Sequence, residues 1–155
     1  MRSVEPFRYL VLAAQREGNR LLAELLRPLG LSPSQAEVLR VLTDEPGLSL
    51  QQLGRRLVCE AGSPSRLVDG LVRAELLTRI PDDTDRRSVR LHLTDAGHTA
   101  ARAVTHREAE LYALLERALD PATLAAANRA LERVVAGTTA GDALAIRQQP
   151  LPAEA

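Results

Sequence analysis

The chain has 155 residues with 20 basic and 20 acidic side chains, so its zero formal charge excludes a bulk polycation that holds nucleic acid by charge alone. A single cysteine, Cys59, excludes an internal disulfide and a cysteine-based zinc site. No apolar run reaches the roughly 18 residues of a membrane span and no signal-peptide pattern opens the chain, so a single cytoplasmic domain without membrane attachment is expected.

The N-terminal segment repeats apolar residues at three- and four-residue steps: Phe7, Leu10, Val11, Ala14, Leu21, Leu22, Leu25 and Leu26. That spacing predicts an amphipathic helix over about 3–27, ended by Pro28 and Gly30. Ser32, Pro33 and Gln35 then form a capping box with proline at the first helical position, and this helix runs to about Thr43, before Pro46-Gly47. Ser49 and Gln52 repeat the device and open a short helix over about 50–58, with Leu50, Leu53 and Leu57 inward. After a break at Glu60 to Gly62, Leu67, Val68, Leu71 and Val72 mark a helix over about 63–74. Pro64 in its first turn forfeits no internal hydrogen bond. The helix begins either at Ser63, which then caps it, or near Ala61, which frees Ser63 to read DNA.

The period then changes from helical to alternating. Leu77 to Ile80 and Ser88 to Leu93, with Val89, Leu91 and Leu93 alternating against Arg90 and His92, predict a hairpin with its tip at Pro81 to Arg87. Thr94 caps a long helix over about 95–119, and Asp120-Pro121 opens a last one that reaches about Val135 and stops at Gly137. Gln148 to Ala155 reads as a frayed tail.

The fold class is therefore mainly α with a small β-hairpin. Three short helices followed by a hairpin are the order of a winged helix-turn-helix, in which the second helix of the pair (here about 63–74) lies in the major groove of double-stranded DNA. A helix from Ser63 to Ala74 spans about 18 Å, enough to cross that groove. All 20 basic residues are arginine, whose planar fork suits phosphate and guanine. An arginine-favouring codon usage gives the same bias. Aromatic residues make up only 2% of the chain, which argues against base stacking as the binding mode.

The segments "LSPSQAEVLRVLTDEPGLSLQQLGRRL", "SRLVDGLVRAELL" and "PDDTDRRSVRLHLTDAG" together resemble the MarR family of transcriptional regulators, most specifically over Asp82 to Gly97. The resemblance implies a winged-helix lobe over 31–94, dimerisation helices over 3–30 and 95–147, and a homodimer on a palindromic operator. It implies that Arg66 contacts DNA and that Asp85 and Arg87 act as a pair at the wing, with Arg87 the minor-groove probe. It also implies a small, often aromatic or phenolic, effector held between the two sets of elements, and no cofactor. Two positions depart from the family pattern: Gly70 stands where a basic residue is common, and Glu75 where glycine usually ends the helix.

From their chemistry, Ser63 and Ser65 are short donors to bases or phosphates. Ser49 and Gln51 suit phosphate at a helix start. Arg73 and Arg55 suit phosphate or simple solvation. Asp82, Asp83 and Asp85 beside Arg86 and Arg87 neutralise and aim the arginines so that one guanidinium projects; narrow A·T-rich grooves attract such an arginine. The rivals at the tip are a solvated charged turn and a divalent cation site, and the latter lacks further oxygen ligands. Cys59 reads as a small buried core residue rather than a redox sensor, and His92, His98 and His106 as solvated or at a dimer seam. Leu111, Leu114, Leu115, Leu119, Leu124, Leu131, Val134 and Val135 form apolar stripes that pairing across a two-fold axis would cover. An enzyme with His98 or His106 beside Asp95 or Glu108, hydrolytic in type, and a winged-helix protein-interaction module that does not bind DNA are the alternatives. Against the first stands the absence of a nucleophile elbow, a phosphate-cradling loop or a carboxylate pair.

Overall fold

The computed structural model describes residues 4–59 and 63–148. Its helices are α1 (Val4–Leu26), α2 (Pro33–Asp44), α3 (Leu50–Gly54), α4 (Pro64–Arg73), α5 (Asp95–Ala118), α6 (Pro121–Val135) and α7 (Thr139–Gln148). A single 3-10 turn, Arg27–Leu29, follows α1, and the strands β1 (Leu77–Pro81) and β2 (Val89–Leu93) lie between α4 and α5. The described residues are thus mainly helical with one two-stranded antiparallel hairpin, the arrangement of a winged helix.

Local sequence chemistry sets most of these boundaries. Both capping boxes form: Gln35 N–H donates to Ser32 Oγ at 3.2 Å while Ser32 N–H donates to Gln35 Oε1 at 3.0 Å, and Ser49 and Gln52 exchange the same pair at 3.2 and 2.9 Å. Each satisfies two N–H groups that a helix start otherwise leaves to water, worth about 1 kcal/mol per cap. Asp120 caps α6 by accepting from the N–H groups of Ala122 and Thr123, both at 3.0 Å.

Two boundaries differ from expectation. α3 ends at Gly54 rather than near residue 58: Arg56 N–H tightens to the Leu53 carbonyl at 2.9 Å, and the N–H groups of Val58 and Cys59 donate to the Glu37 carboxylate of α2 at 2.7 and 2.8 Å instead of continuing the helix. α7 is an additional helix beyond the expected last one. Gly137, at φ +74°, does end α6. Thr138 then accepts Gly141 N–H at 3.1 Å and starts a new helix. Gly141 lies so close to α6 that a Cβ there would sit 2.1 Å from the Val135 carbonyl oxygen. Gln148 belongs to α7, and the remainder of the expected tail lies outside the described residues.

α4 ends on a left-handed residue that is not glycine. Glu75 has φ +58°, and Leu76 N–H donates to the Leu71 carbonyl while Glu75 N–H donates to that of Val72, both at 3.0 Å. This is the pattern of a Schellman cap with glutamate at the usual glycine position. The hairpin pairs Leu77 with Leu93 and Pro81 with Val89. Its inward residues Leu77, Leu91 and Leu93 join Leu26, Val38, Leu39, Leu42, Leu53, Val68, Leu71 and Val104 in one core. Leu91 also bridges Leu48, tying the segment before α3 to the sheet.

The terminal helices are differently placed. α6 has no buried residue, and Phe7, Leu10, Val11, Leu114, Leu115, Leu131 and Val134 are exposed in the single chain. No helix among the described residues is long and apolar enough to cross a membrane.

Candidate nucleic-acid interface

α4 presents two faces. Val68 and Leu71 are fully buried, and the opposite side carries Ser63, Arg66 and Arg73, all exposed, with Ser65 half-buried. Ser63 occupies the cap position, yet its side chain makes no capping bond; its hydroxyl meets that of Ser65 at 2.5 Å instead. The described helix starts at Pro64, and the alternative start near Ala61 lies outside the described residues. Asp69 of α4 pairs with Arg79 of β1, which fixes the angle between helix and wing. Gly70 rests against the Gln35 side chain: an added Cβ would stand 3.3 Å from its Nε2.

At the start of α3 the Ser49 oxygen is taken up by Gln52 N–H and its own N–H by the Gln52 side chain. Ser49 is therefore first a cap, with only its hydroxyl proton left to offer. Gln51 is exposed beside it.

The wing tip is organised by its acids, in a different pairing from the expected one. Asp85 does not meet the Arg87 guanidinium; Asp85 Oδ1 accepts the Arg87 backbone N–H at 3.0 Å and so shapes the turn. The aspartate that pairs with an arginine is Asp82, whose Oδ2 accepts Arg90 Nε at 2.6 Å while its Oδ1 accepts Thr84 N–H and the Thr84 hydroxyl at 2.9 and 2.8 Å. The Thr84 N–H, then the Thr84 hydroxyl, then Arg90 pull the Asp82 carboxyl down to about 2. Both its oxygens are thus engaged by protein donors, and the described residues hold no group of three or more His, Cys, Asp or Glu side chains disposed around a metal ion. Arg90 continues to the Gln52 Oε1 at 3.2 Å, joining the wing to the cap of α3.

The result is a division among arginines. Arg56, Arg79 and Arg90 are committed to Glu45, Asp69 and Asp82. Arg55, Arg66, Arg73, Arg86 and Arg87 are exposed and make no ion pair or side-chain hydrogen bond with another described residue. The scaffolding arginines Arg79 and Arg90 were not singled out from sequence. Their only signal there is position, on the strands flanking an acidic tip.

Behind this surface a cleft of about 270 Å³ opens between α2, α5 and α7, with Arg40, Cys59, Glu108, Tyr112 and Arg147 among its walls. Arg40 pairs with Glu108 at 3.4 Å and donates to Thr105 Oγ1 at 2.8 Å. Burial is the largest influence on Glu108 and Tyr112, and it raises both. Cys59 is exposed as a residue, contrary to the expected core placement. Its thiol lines the cleft, where partial burial and then the Glu37 charge push it up to about 11. His98 and His106 are exposed on α5, and Glu108, one of the two candidate acid–base partners, is committed to Arg40.

Residues 29–88 match the model of the MarR family. The uncharacterized HTH-type transcriptional regulator YkoM of Bacillus subtilis is 39% identical over 69 residues, 44% of this chain and 45% of that protein. The HTH-type transcriptional regulator MhqR of the same organism is 33% identical over 90 residues, 57% of this chain and 62% of that one. The chain thus spans about half the length of the curated relatives it matches. In three dimensions a cysteine-to-serine mutant of MarR from E. coli, complexed with operator DNA, superposes with a TM-score of 0.77 at 25% identity, covering 85% of this chain and 95% of that one. With its winged helix set between terminal helices and the MarR-family model lying over residues 29–88, across α2, α3, α4 and β1, the chain is similar to MarR-family regulators over that lobe.

Proposed function

We propose that this chain is a sequence-specific DNA-binding transcriptional regulator, a repressor that binds a palindromic operator as a homodimer. α4 enters the major groove with Ser63, Ser65 and Arg66 toward base edges and phosphates, and Arg73 and Gln51 meet the backbone. The wing carries Arg86 and Arg87 to the minor groove. The observation that carries this reading is the split among arginines: those between elements are paired, and those on the outer face of α4 and the wing tip have no acidic partner among the described residues. Free guanidiniums on one face are what phosphate and groove contacts require. That MarR from E. coli was complexed with operator DNA supports it. The exposed apolar residues of α1, α5 and α6 supply the second half of the argument, a surface for a second copy that spaces two α4 helices by about one DNA turn. The cleft between α2, α5 and α7, with Leu22, Val58, Tyr112 and Leu144 in its wall, suits a small aromatic or phenolic compound as the releasing effector.

The test is enrichment of duplex fragments from a random-sequence pool by the purified protein, followed by a salt series on the winners. A specific binder enriches an inverted repeat and loses affinity steeply with salt. Arg87→Ala weakens binding without changing the thermal midpoint. Absence of binding to any duplex at low salt sinks the reading and favours a winged-helix module that engages proteins. Repeating the enrichment with candidate aromatic and phenolic compounds tests the effector.

A further inference from the structure

Glu37 is the one buried charged residue among the described residues, at 8% exposure, and it stands on α2. Its Oε1 accepts Val58 N–H at 2.7 Å and Arg147 Nη1 at 2.8 Å, and its Oε2 accepts Cys59 N–H at 2.8 Å. Val58 and Cys59 follow α3, ahead of the described start of α4 at Pro64. Arg147 is on α7, 110 positions along the chain from Glu37. One turn further along α2, Arg40 is tied to Thr105 and Glu108 of α5. α2 therefore bears, on one side, the bonds that hold the chain ahead of the recognition helix and, from the same carboxylate, the bond to the C-terminal helix.

A carboxylate withdrawn from water is held only while its charge is matched and its lone pairs are filled. The two amides fill lone pairs, but the full positive charge comes from Arg147 alone. Without it the carboxylate gains more from turning toward water than from staying, and the Val58 and Cys59 amides lose their acceptor.

We propose that Glu37 and Arg147 are positioning residues for the recognition helix: Arg147 holds the Glu37 carboxylate in place, the carboxylate fixes the segment of Val58 and Cys59 ahead of α4, and the docking of α7 thereby sets DNA affinity. The effect on DNA rests on the function proposed above, whereas the effect on the segment does not.

The experiment uses the full chain as wild type, Arg147→Ala, Arg147→Lys and, as control, Arg107→Ala, which removes an exposed pair with Glu110 on α5. Amide hydrogen exchange at Val58 and Cys59 is read without DNA, and affinity is read on the duplex that wild type enriches from a random-sequence pool. Arg147→Ala is expected to speed exchange at those two amides and to weaken DNA binding roughly tenfold, inside the about 5- to 150-fold range usual for coupling between sites. Exchange at Leu39 and Leu42 in α2 stays put, Arg147→Lys restores part of both effects, and Arg107→Ala changes neither. Exchange that rises equally at Leu39, Leu42, Val58 and Cys59 means loss of the whole fold and overturns the proposal, as does unchanged exchange at Val58 and Cys59. Faster exchange with unchanged affinity overturns the link to DNA. A wild type that binds no duplex overturns the function reading, and exchange alone then decides whether the latch exists.

Discussion

A Cβ on Gly97 would lie 1.9 Å from the Leu76 carbonyl oxygen. The first turn of α5 is thus pressed against the chain that links α4 to β1, and Thr94, which caps α5, also donates its hydroxyl to the Glu75 carbonyl at 2.7 Å and its N–H to the Leu76 carbonyl at 3.1 Å. The run Leu91, Leu93, Thr94, Gly97 has a plain physical content: two core leucines, a cap that doubles as a clamp, and the only residue type without a side chain to collide. Gly97→Ala must displace backbone rather than a flexible side chain. A loss of roughly 3 kcal/mol or more is expected in urea unfolding, at the upper end of overpacking costs. A loss below about 1 kcal/mol would mean that the turn gives way easily.

Glu75 supplies the opposite case. At φ +58° it holds a left-handed conformation that costs a residue with a side chain about 1 kcal/mol, and its side chain is exposed. Glu75→Gly relieves that strain, less the greater freedom glycine gains in the unfolded chain. A net stabilisation of up to about 0.5 kcal/mol is expected as a slightly higher thermal midpoint. A lower midpoint would show that the glutamate makes a compensating interaction in the assembled protein.

These positions also mark what was legible in the sequence. Ser32 with Gln35 and Ser49 with Gln52 were readable because a capping box is closed by residues three apart. The alternation of Leu91 and Leu93 gave the hairpin for the same reason, a period of two over five residues. The length of α3 was not readable: Arg56 N–H turns to the Leu53 carbonyl, and the Val58 and Cys59 amides are taken by Glu37, 21 and 22 positions earlier, which no local pattern records. α7 was hidden by its alanine-rich composition, which writes no apolar stripe, and Gly141 is tolerated there because α6 lies against it. At the wing the residue types were right and the partner was not. Asp82 reaches Arg90 across the hairpin, a relation that strand register creates and sequence neighbours do not show.

That wing pairing has a pH signature. The Asp82 carboxyl is lowered from 3.8 to about 2 in the folded chain. A depressed carboxyl stabilises the fold above its unfolded value, and that contribution is lost as pH falls through the folded value. The wing is therefore expected to loosen between about pH 4 and pH 2, seen as faster amide exchange at Thr84 and Ser88. In Asp82→Asn the exchange is fast already at pH 5 and shows no such transition. A transition that persists in Asp82→Asn would assign it to another carboxylate.

The Cys59 thiol, pushed up to about 11, is expected to be almost wholly protonated near neutrality. Four decades below that value, at pH 7, only about one molecule in 10⁴ carries the thiolate, the form that reacts. Alkylation by iodoacetamide should be slow at pH 7 despite the exposure of the residue and should accelerate tenfold per pH unit up to about 10. Glu37→Gln removes the nearby negative charge, the second cause of the shift, and should speed alkylation at fixed pH. Fast labelling at pH 7 in the wild type would reopen a redox role for this position.

The exposed apolar surface leads to the last expectation. Val134 and Leu131 of α6 and Leu10 of α1 are 59%, 41% and 68% exposed in the single chain, and α6 buries no residue of its own. Water contact on that scale is costly for a helix with no buried anchor, and a second copy seated there would remove it. Wild-type protein is expected to sediment at twice the chain mass. Leu131→Glu with Val134→Glu places two charges in the seam and should yield a monomer, while the core of α2, Val68, Leu71 and Leu91, which lies elsewhere, keeps its thermal transition. A monomer carries one α4 and one wing, so it forfeits the second half-site. Affinity for an inverted-repeat duplex should then fall by roughly 100-fold or more, the range that linked binding events command. Affinity for a single half-site should be unchanged. If the double variant still sediments as a dimer, the seam lies off α6, and the α1 face around Leu10 is the surface to charge next.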